Sequence, residues 1–579
     1  MQTKLLLAVF MVLVLDGLAL HPSAGAQDKT TDAELRELWF GVLDAGERRF
    51  RFGFELLPEA DGMWQGILLS FDEGRQKFVL DSLKRTATDF EFAIKASKGR
   101  YVGKFDVSGK RIEGQWLQGS AKLDLVLEQV EEHPTRDVKA LWVGDINVLF
   151  QKLKVTFCES TDGEVYFESV SQKAGGFVVT KTVQDELIEF DVPGVGGKFS
   201  GKLSSDGQEM RGTWKQSLIE VELVLDKSNE VDIRPETPRR PQTPQPPFDY
   251  KIHDVDIENP RDKGVSLSAT LTIPAGDGPY PAVVLISGSG PQDRDESLLE
   301  HKPFWVIADY LTQRGIAVLR YDDRGVGEST GEFASATSLD FASDARAAYE
   351  FLRSQDGIDA SKVGLCGHSE GGIIAPMVAV ADTRVAFVIM LAGPGVNGDQ
   401  ILTSQMELIL SASGLEASEI EQQLLIQRKL LDLAELEPPI DESQFSERAG
   451  EAIAPLLTDE ERETDKGAAI ASAAAAQLCT PWFRFFLTHD PTRDLRQLGC
   501  PVLVLNGSKD IQVDPNLNVP AIREALAANP ESEIVVLPGL NHLFQACDTG
   551  NVDEYRSIEE TISPDALKII GDWITDRSN

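Results

Sequence analysis

From about Tyr250 onward, short apolar runs recur between segments of helical pattern, at residues 282–286, 316–320, 363–366, 385–391, 502–505 and 534–537. A short strand without polar alternation has to bury both faces. Strands that alternate with helices achieve this by pairing in parallel, with helices packed above and below the sheet. Residues 250–579 are therefore expected to form a doubly wound, mostly parallel sheet. Residues 265–273 alternate in character and read as its edge strand, and an amphipathic segment at 565–574 closes the chain as a helix. Residues 397–490 are helix-rich with no strand pattern. They fall between the 385–391 and 502–505 strands, a position that predicts a lid over the site.

The N-terminal half carries an internal duplication. Leu38-Trp39-x-Gly41 recurs as Leu141-Trp142-x-Gly144, and Gly103 with Gly114-x-Trp116-x-Gln118 recurs as Gly201 with Gly212-x-Trp214-x-Gln216. Both copies alternate apolar and polar residues between turn signals such as Ser108-Gly109 and Asp206-Gly207, as antiparallel hairpins with one buried face do. Two all-β modules are expected, 27–132 and 133–230, as small lipocalin-like barrels or sandwiches. Two copies of so long a repeat do not make a solenoid. Neither copy holds a polar cluster of catalytic type, so an accessory role is preferred to ligand binding. Between them and the parallel sheet, residues 231–249 include Pro235, Pro238, Pro241, Pro244, Pro246 and Pro247. Such a stretch sustains neither helix nor central strand and reads as a semi-rigid linker.

Residues 1–26 read as a cleaved export signal: Lys4 precedes an apolar stretch interrupted by Asp16, and Ala24-Gly25-Ala26 suits a signal peptidase. The expected location is the periplasm or the medium, with no membrane span after cleavage. A formal net charge of −37 argues against nucleic acid and anionic lipid as partners, because both would be repelled. Five irregularly spaced cysteines form neither a disulfide framework nor a zinc cluster and read as free thiols.

Gly367-His368-Ser369-Glu370-Gly371 lies where the 363–366 run gives way to a small-residue helix. A G-x-S-x-G turn between strand and helix exposes its serine above the sheet, which makes Ser369 the candidate nucleophile. A serine hydroxyl needs an adjacent base oriented by a carboxylate. With chain order Ser, acid, His, only His489 and His542 of the seven histidines qualify. His542 follows the last strand directly and is the expected base. The acid should leave the 502–505 strand, and Asp510 is preferred there over Asp514, which precedes Pro515 as a helix cap would. Charge developing on the carbonyl oxygen calls for two backbone N–H donors. Glu370 supplies one, and the loop 287–295 the other, through Ser289 or Gly290, with Gln292 the weaker choice. His368 points elsewhere than Ser369 and is expected to pack.

Four stretches in order, Gly288-Ser289-Gly290-Pro291-Gln292-Asp293-Arg294-Asp295, His301-Lys302-Pro303-Phe304, Tyr321-Asp322-Asp323-Arg324-Gly325-Val326-Gly327-Glu328-Ser329 and the Ser369 motif, resemble bacterial α/β-hydrolases of the EstD-type esterase group. That group is related to dienelactone hydrolases and serine aminopeptidases. The resemblance covers the C-terminal part of the chain, and the G-x-W repeats resemble β modules that precede such enzymes. It implies an α/β-hydrolase fold and a serine carboxylesterase without metal or cofactor, acting on short acyl esters through an acyl-enzyme. It also implies a structural role for the Arg324 loop. A peptidase of the same clan is the alternative, with Arg294, Glu370 or the lid gripping a peptide terminus. A surface binding protein without catalysis is a third reading.

Overall fold

The computed structural model describes residues 36–578 apart from 59–63, 74–75, 81, 95–98, 120, 134–137, 149–150, 173, 217–218, 229–238, 437 and 458–465. The expected export signal and the first part of the Pro-rich stretch lie outside the described residues. Two compact units divide between Thr237 and Pro238.

Among the described residues, the first unit consists of two nine-stranded antiparallel sheets of identical topology. In the first, strand Glu37–Asp44 pairs both with its successor, Arg49–Pro58, and with the last strand, Ala121–Val130. The second sheet repeats this, Val138–Val148 pairing with Gln151–Ser160 and with Ile219–Ser228. Pairing first strand to last rolls each meander toward a barrel, as the alternation implies. Aromatic side chains fill the interiors: Phe54, Phe90, Phe92 and Tyr101 in one, Phe157, Phe190, Phe199 and Trp214 in the other. The duplicated glycines serve this packing. Gly103 faces Gly114 across the ladder, and Gly201 faces Gly212. A Cβ on Gly114 would lie 2.5 Å from the Gly103 Cα, and one on Gly103 would lie 2.7 Å from the Tyr101 hydroxyl. The glycine pair is thus a slot beneath an inward ring, and in the second module Phe199 takes the place of Tyr101. Trp116 and Trp214 donate through Nε1 to Gln118 and Gln216 at 3.2 and 3.3 Å, which accounts for the G-x-W-x-Q spacing.

The second unit is an eight-stranded sheet flanked by helices. Its strands are β1 (Lys251–Glu258), β2 (Ser266–Ile273), β3 (Tyr280–Ile286), β4 (Ala317–Tyr321), β5 (Ile358–His368), β6 (Val388–Leu391), β7 (Val502–Gly507) and β8 (Ser532–Leu537). They lie in the order β1-β2-β4-β3-β5-β6-β7-β8. Pairing is antiparallel from β1 to β4 and parallel from β4 to β8. The edge strand is β1, not the 265–273 segment. Lys251, Asp254, Asp256 and Glu258 give β1 a charged pattern that hides it in the sequence and suits an edge, where charge discourages pairing with other chains.

Alternate residues of β3 serve opposite layers. Val284 and Ile286 pack with helices α2 (Ser338–Arg353) and α3 (Gly371–Ala381), whereas Val283 and Leu285 share a cluster with α1 (Pro303–Gln313) and the C-terminal helix Pro564–Ser578. Between β6 and β7 comes the expected helical insert: α4 (Gly398–Ala412), α5 (Ala417–Ala434), α6 (Glu442–Ile453), α7 (Lys466–Leu478) and α8 (Pro481–Thr488). It has its own core around Leu430, Leu431, Phe445, Ala474 and Leu478, joined by Ile373 of α3.

The described part of the Pro-rich stretch is not a free spacer. Arg240 donates to the carbonyls of Leu299, Arg556 and Ile558 at 2.8–3.0 Å, and Gln242 donates to that of Ile562 at 2.7 Å. Proline rings restrict the backbone, but these two polar side chains fasten it to the second unit.

Candidate active site

β5 ends at His368 and α3 starts at Gly371, so Ser369 occupies the turn with φ +51°, a conformation that costs a non-glycine residue roughly 1 kcal/mol. Space forces the flanking glycines. A Cβ on Gly367 would lie 1.9 Å from the Gly371 carbonyl oxygen, and one on Gly371 would lie 2.2 Å from that of Ile286. The Ser369 N–H donates to the Leu391 carbonyl at 2.8 Å, which fastens the turn to the end of β6.

Asp510 follows β7, and His542 follows β8. Their side chains meet with Nδ1 of His542 2.8 Å from Oδ2 of Asp510, both residues being buried. The carboxylate also accepts from the backbone N–H groups of Gln512 and Val513 at Oδ1 and from Asn506 Nδ2 at Oδ2, at 2.8–3.0 Å. With every partner of Asp510 a donor, the imidazole presents Nδ1–H to it and keeps Nε2 as an acceptor. His542 and Ser369 line one cavity of about 100 Å³. His489 lies elsewhere, stacked on Phe485 and 3.4 Å from Asp494. Asp514 caps the helix Pro515–Ala525, accepting from the Asn516 N–H at 2.9 Å.

The 287–295 loop offers fewer free donors than its sequence implies. The Gly288 N–H is given to Glu296 at 2.7 Å and the Gln292 N–H to Asp323 at 3.0 Å. Ser289 lines the cavity and Gly290 does not. Among the described residues the N–H groups of Ser289 and Glu370 have no acceptor in the chain, and these two could meet an oxyanion. Asp323 also accepts from Ser287 Oγ at 2.9 Å, and burial pushes its carboxyl well above the usual range. Next to it, Asp322 receives the Arg294 backbone N–H at 2.7 Å and its guanidinium at 2.7–3.0 Å. The paired acids at the end of β4 therefore brace the loop. Two adjacent aspartates after a buried strand were the available signal. Arg324 does different work, joining Asp344 at 2.7–2.9 Å and Asp262 at 2.9 Å.

Glu370 contributes its side chain as well as its N–H. Its Oε1 accepts from Ser338 Oγ at 2.6 Å and from Trp482 Nε1 of α8 at 2.8 Å, and burial raises its pKa. Trp482 stacks on Phe486, which lines the cavity, with ring centroids 5.2 Å apart and planes at 7°. The insert is thereby fastened beside the elbow. Trp482→Phe keeps the stack and removes the N–H donor to a buried carboxyl. It is expected to cost about 1–3 kcal/mol, measured as a lower midpoint in denaturant unfolding.

A sheet of this order, with a serine on the β5–α3 turn beside a helical insert, has the α/β-hydrolase fold, and residues 283–550 match the Alpha/beta hydrolase family. The chain is 30 % identical over 300 residues to esterase EstD of Thermotoga maritima, a match covering 51 % of this chain. It spans 63 % of the length of that esterase. An uncharacterized 31.7 kDa protein of Escherichia coli is 22 % identical over 296 residues, covering 51 % of this chain and 90 % of that protein. Among solved structures, an esterase of Pyrococcus furiosus matches at 13 % identity and a TM-score of 0.33, covering 59 % of this chain and 99 % of that one.

Proposed function

We propose that the chain is an exported serine carboxylesterase acting on short acyl esters. The observation that carries this reading is the buried Asp510–His542 hydrogen bond of 2.8 Å opening onto the same cavity as a serine strained at φ +51°. Ser369 Oγ attacks the ester carbonyl while its proton passes to His542 Nε2, and the N–H groups of Ser289 and Glu370 meet the charge on the carbonyl oxygen. Collapse expels the alcohol, which takes the proton from His542. Water, deprotonated by the same imidazole, then releases the acid and restores Ser369. Asp510 keeps the imidazole in the required tautomer and stabilises its charged form.

The small cavity favours short acyl groups over long ones. Against the peptidase alternative, Arg294 is engaged by Asp322, Ser268 and Thr270, and the Glu370 side chain by Ser338 and Trp482. Neither is free to grip a peptide terminus. The purified protein is expected to be labelled by a fluorophosphonate at Ser369 and to hydrolyse p-nitrophenyl acetate and butyrate far faster than aminoacyl nitroanilides. Labelling elsewhere, or faster nitroanilide cleavage, contradicts the proposal. Residues 1–26 support export, so the mature N-terminus after secretion should be Gln27, as read by mass spectrometry.

A further inference from the structure

A second buried polar cluster abuts the Ser369–His542 pair. Glu296 Oε1 accepts the Gly288 N–H at 2.7 Å and faces His368 Nδ1 at 2.9 Å. On its other side, His368 Nε2 lies 3.1 Å from the backbone carbonyl oxygen of His542, and the two imidazole centroids are 4.8 Å apart. Glu296, His368 and His542 are all buried. A carbonyl only accepts, so Nε2 of His368 carries a proton. An ionised Glu296 is acceptor-only, so its oxygen takes the proton of Nδ1 as well as the Gly288 N–H. The arrangement is an imidazolium–carboxylate pair. The Glu296 backbone is itself held at φ +51°, and backbone strain of this kind at a residue lining a site persists only where surrounding contacts enforce it.

We propose that Glu296 and His368 are positioning residues that lock the three reacting segments together. This rests on the esterase reading above. Glu296 grips the loop that carries Ser289, His368 precedes the nucleophile, and the carbonyl it holds belongs to the base. One pair thus sets the mutual distances of oxyanion donor, serine and imidazole, where displacements near 1 Å can cost about a hundredfold in rate. Burial lowers the pKa of His368, but the charge of Glu296, hydrogen bonds to Glu296 and to the His542 carbonyl, and the charge of Asp510 outweigh it, leaving a raised value. A raised histidine pKa means that the charged pair survives to higher pH than an ordinary histidine would allow and is lost as pH climbs through that value.

Glu296→Gln and His368→Gln should each lower kcat on p-nitrophenyl acetate by about 10- to 100-fold with KM nearly unchanged. The pH profile separates positioning from simple destabilisation. In the wild type kcat/KM falls on the alkaline side as His368 loses its proton. Glu296→Gln moves that limb to lower pH, and His368→Gln abolishes it, whereas a reduced folded fraction would scale the profile without moving it. Should either variant fold poorly, nitrogen NMR on the intact wild type still decides: His368 is expected to stay doubly protonated to higher pH than an ordinary histidine. Wild-type kcat and an unmoved alkaline limb in both variants, or a His368 that loses its proton no later than an ordinary histidine, overturn the proposal. Ser369→Ala run in parallel keeps the two readings apart. If it stays active, the esterase reading falls and takes this one with it. If it is inactive while Glu296→Gln behaves as wild type, only the pairing role falls.

Discussion

Ser369→Ala is expected to lower kcat on short p-nitrophenyl esters by about ten thousand- to a million-fold, with KM changed little. In the proposed mechanism the hydroxyl forms the covalent bond, and alanine leaves the turn, the His542–Asp510 hydrogen bond and the Ser289 and Glu370 donors intact. What remains should be the contribution of binding and of the oxyanion donors, about a thousandfold or more above the reaction in water. Steady-state kinetics and a denaturation curve check it together, since the variant should unfold within about 0.5 kcal/mol of the wild type. Activity within tenfold of wild type would remove Ser369 from the mechanism.

Asp510→Asn is expected to cost about a thousand- to ten-thousandfold in kcat, and the local hydrogen bonds say why. Oδ1 of Asp510 receives two backbone N–H groups, from Gln512 and Val513, so an asparagine has to place its carbonyl oxygen there. Its amide nitrogen then faces His542 Nδ1 and the Nδ2 of Asn506, a donor. His542 is driven to the tautomer with its proton on Nε2, which cannot accept one from Ser369. Two donors facing each other at Asn506 add a stability loss of about 1–3 kcal/mol. Combining Asp510→Asn with Asn506→Asp, which supplies an acceptor for that amide, should recover stability without recovering kcat. Rescue of kcat by the second change would show that the tautomer is not what matters.

Much of the second unit was legible because buried parallel strands appear as uninterrupted apolar runs, with β3, β5, β6 and β7 close to where those runs fall. The edge strand β1 was not, because solvent on its outer side removes the need for that pattern. Ser369, Asp510 and His542 could be named because this sheet order delivers its loops in a set succession, so that position along the chain stands in for position in space. No such shortcut exists for the oxyanion loop. Ser289, Gly290 and Gln292 look equivalent along the chain, and they are told apart by Asp323 taking the Gln292 N–H and by Ser289 alone of the three donor choices having a free N–H at the cavity. His368 was read as packing because its neighbours in sequence say nothing of Glu296, 72 positions earlier. The Pro-rich stretch likewise gave no sign that Arg240 would reach carbonyls more than 300 residues away.

By itself, then, the chain determined the architecture, two duplicated β modules before a doubly wound sheet, together with the elbow serine and the order of its partners, because periodicity, turn chemistry and chain succession are properties of neighbouring residues. The tertiary structure decided which buried polar groups hold one another: Asp323 on the 287–295 loop, Trp482 of the insert on Glu370, and Glu296 with His368 behind Ser369 and His542. Those pairings depend on loops from distant parts of the chain converging at the ends of the strands. Once water is excluded there, each polar group has to find a partner in the chain, and only three-dimensional proximity says which one it is.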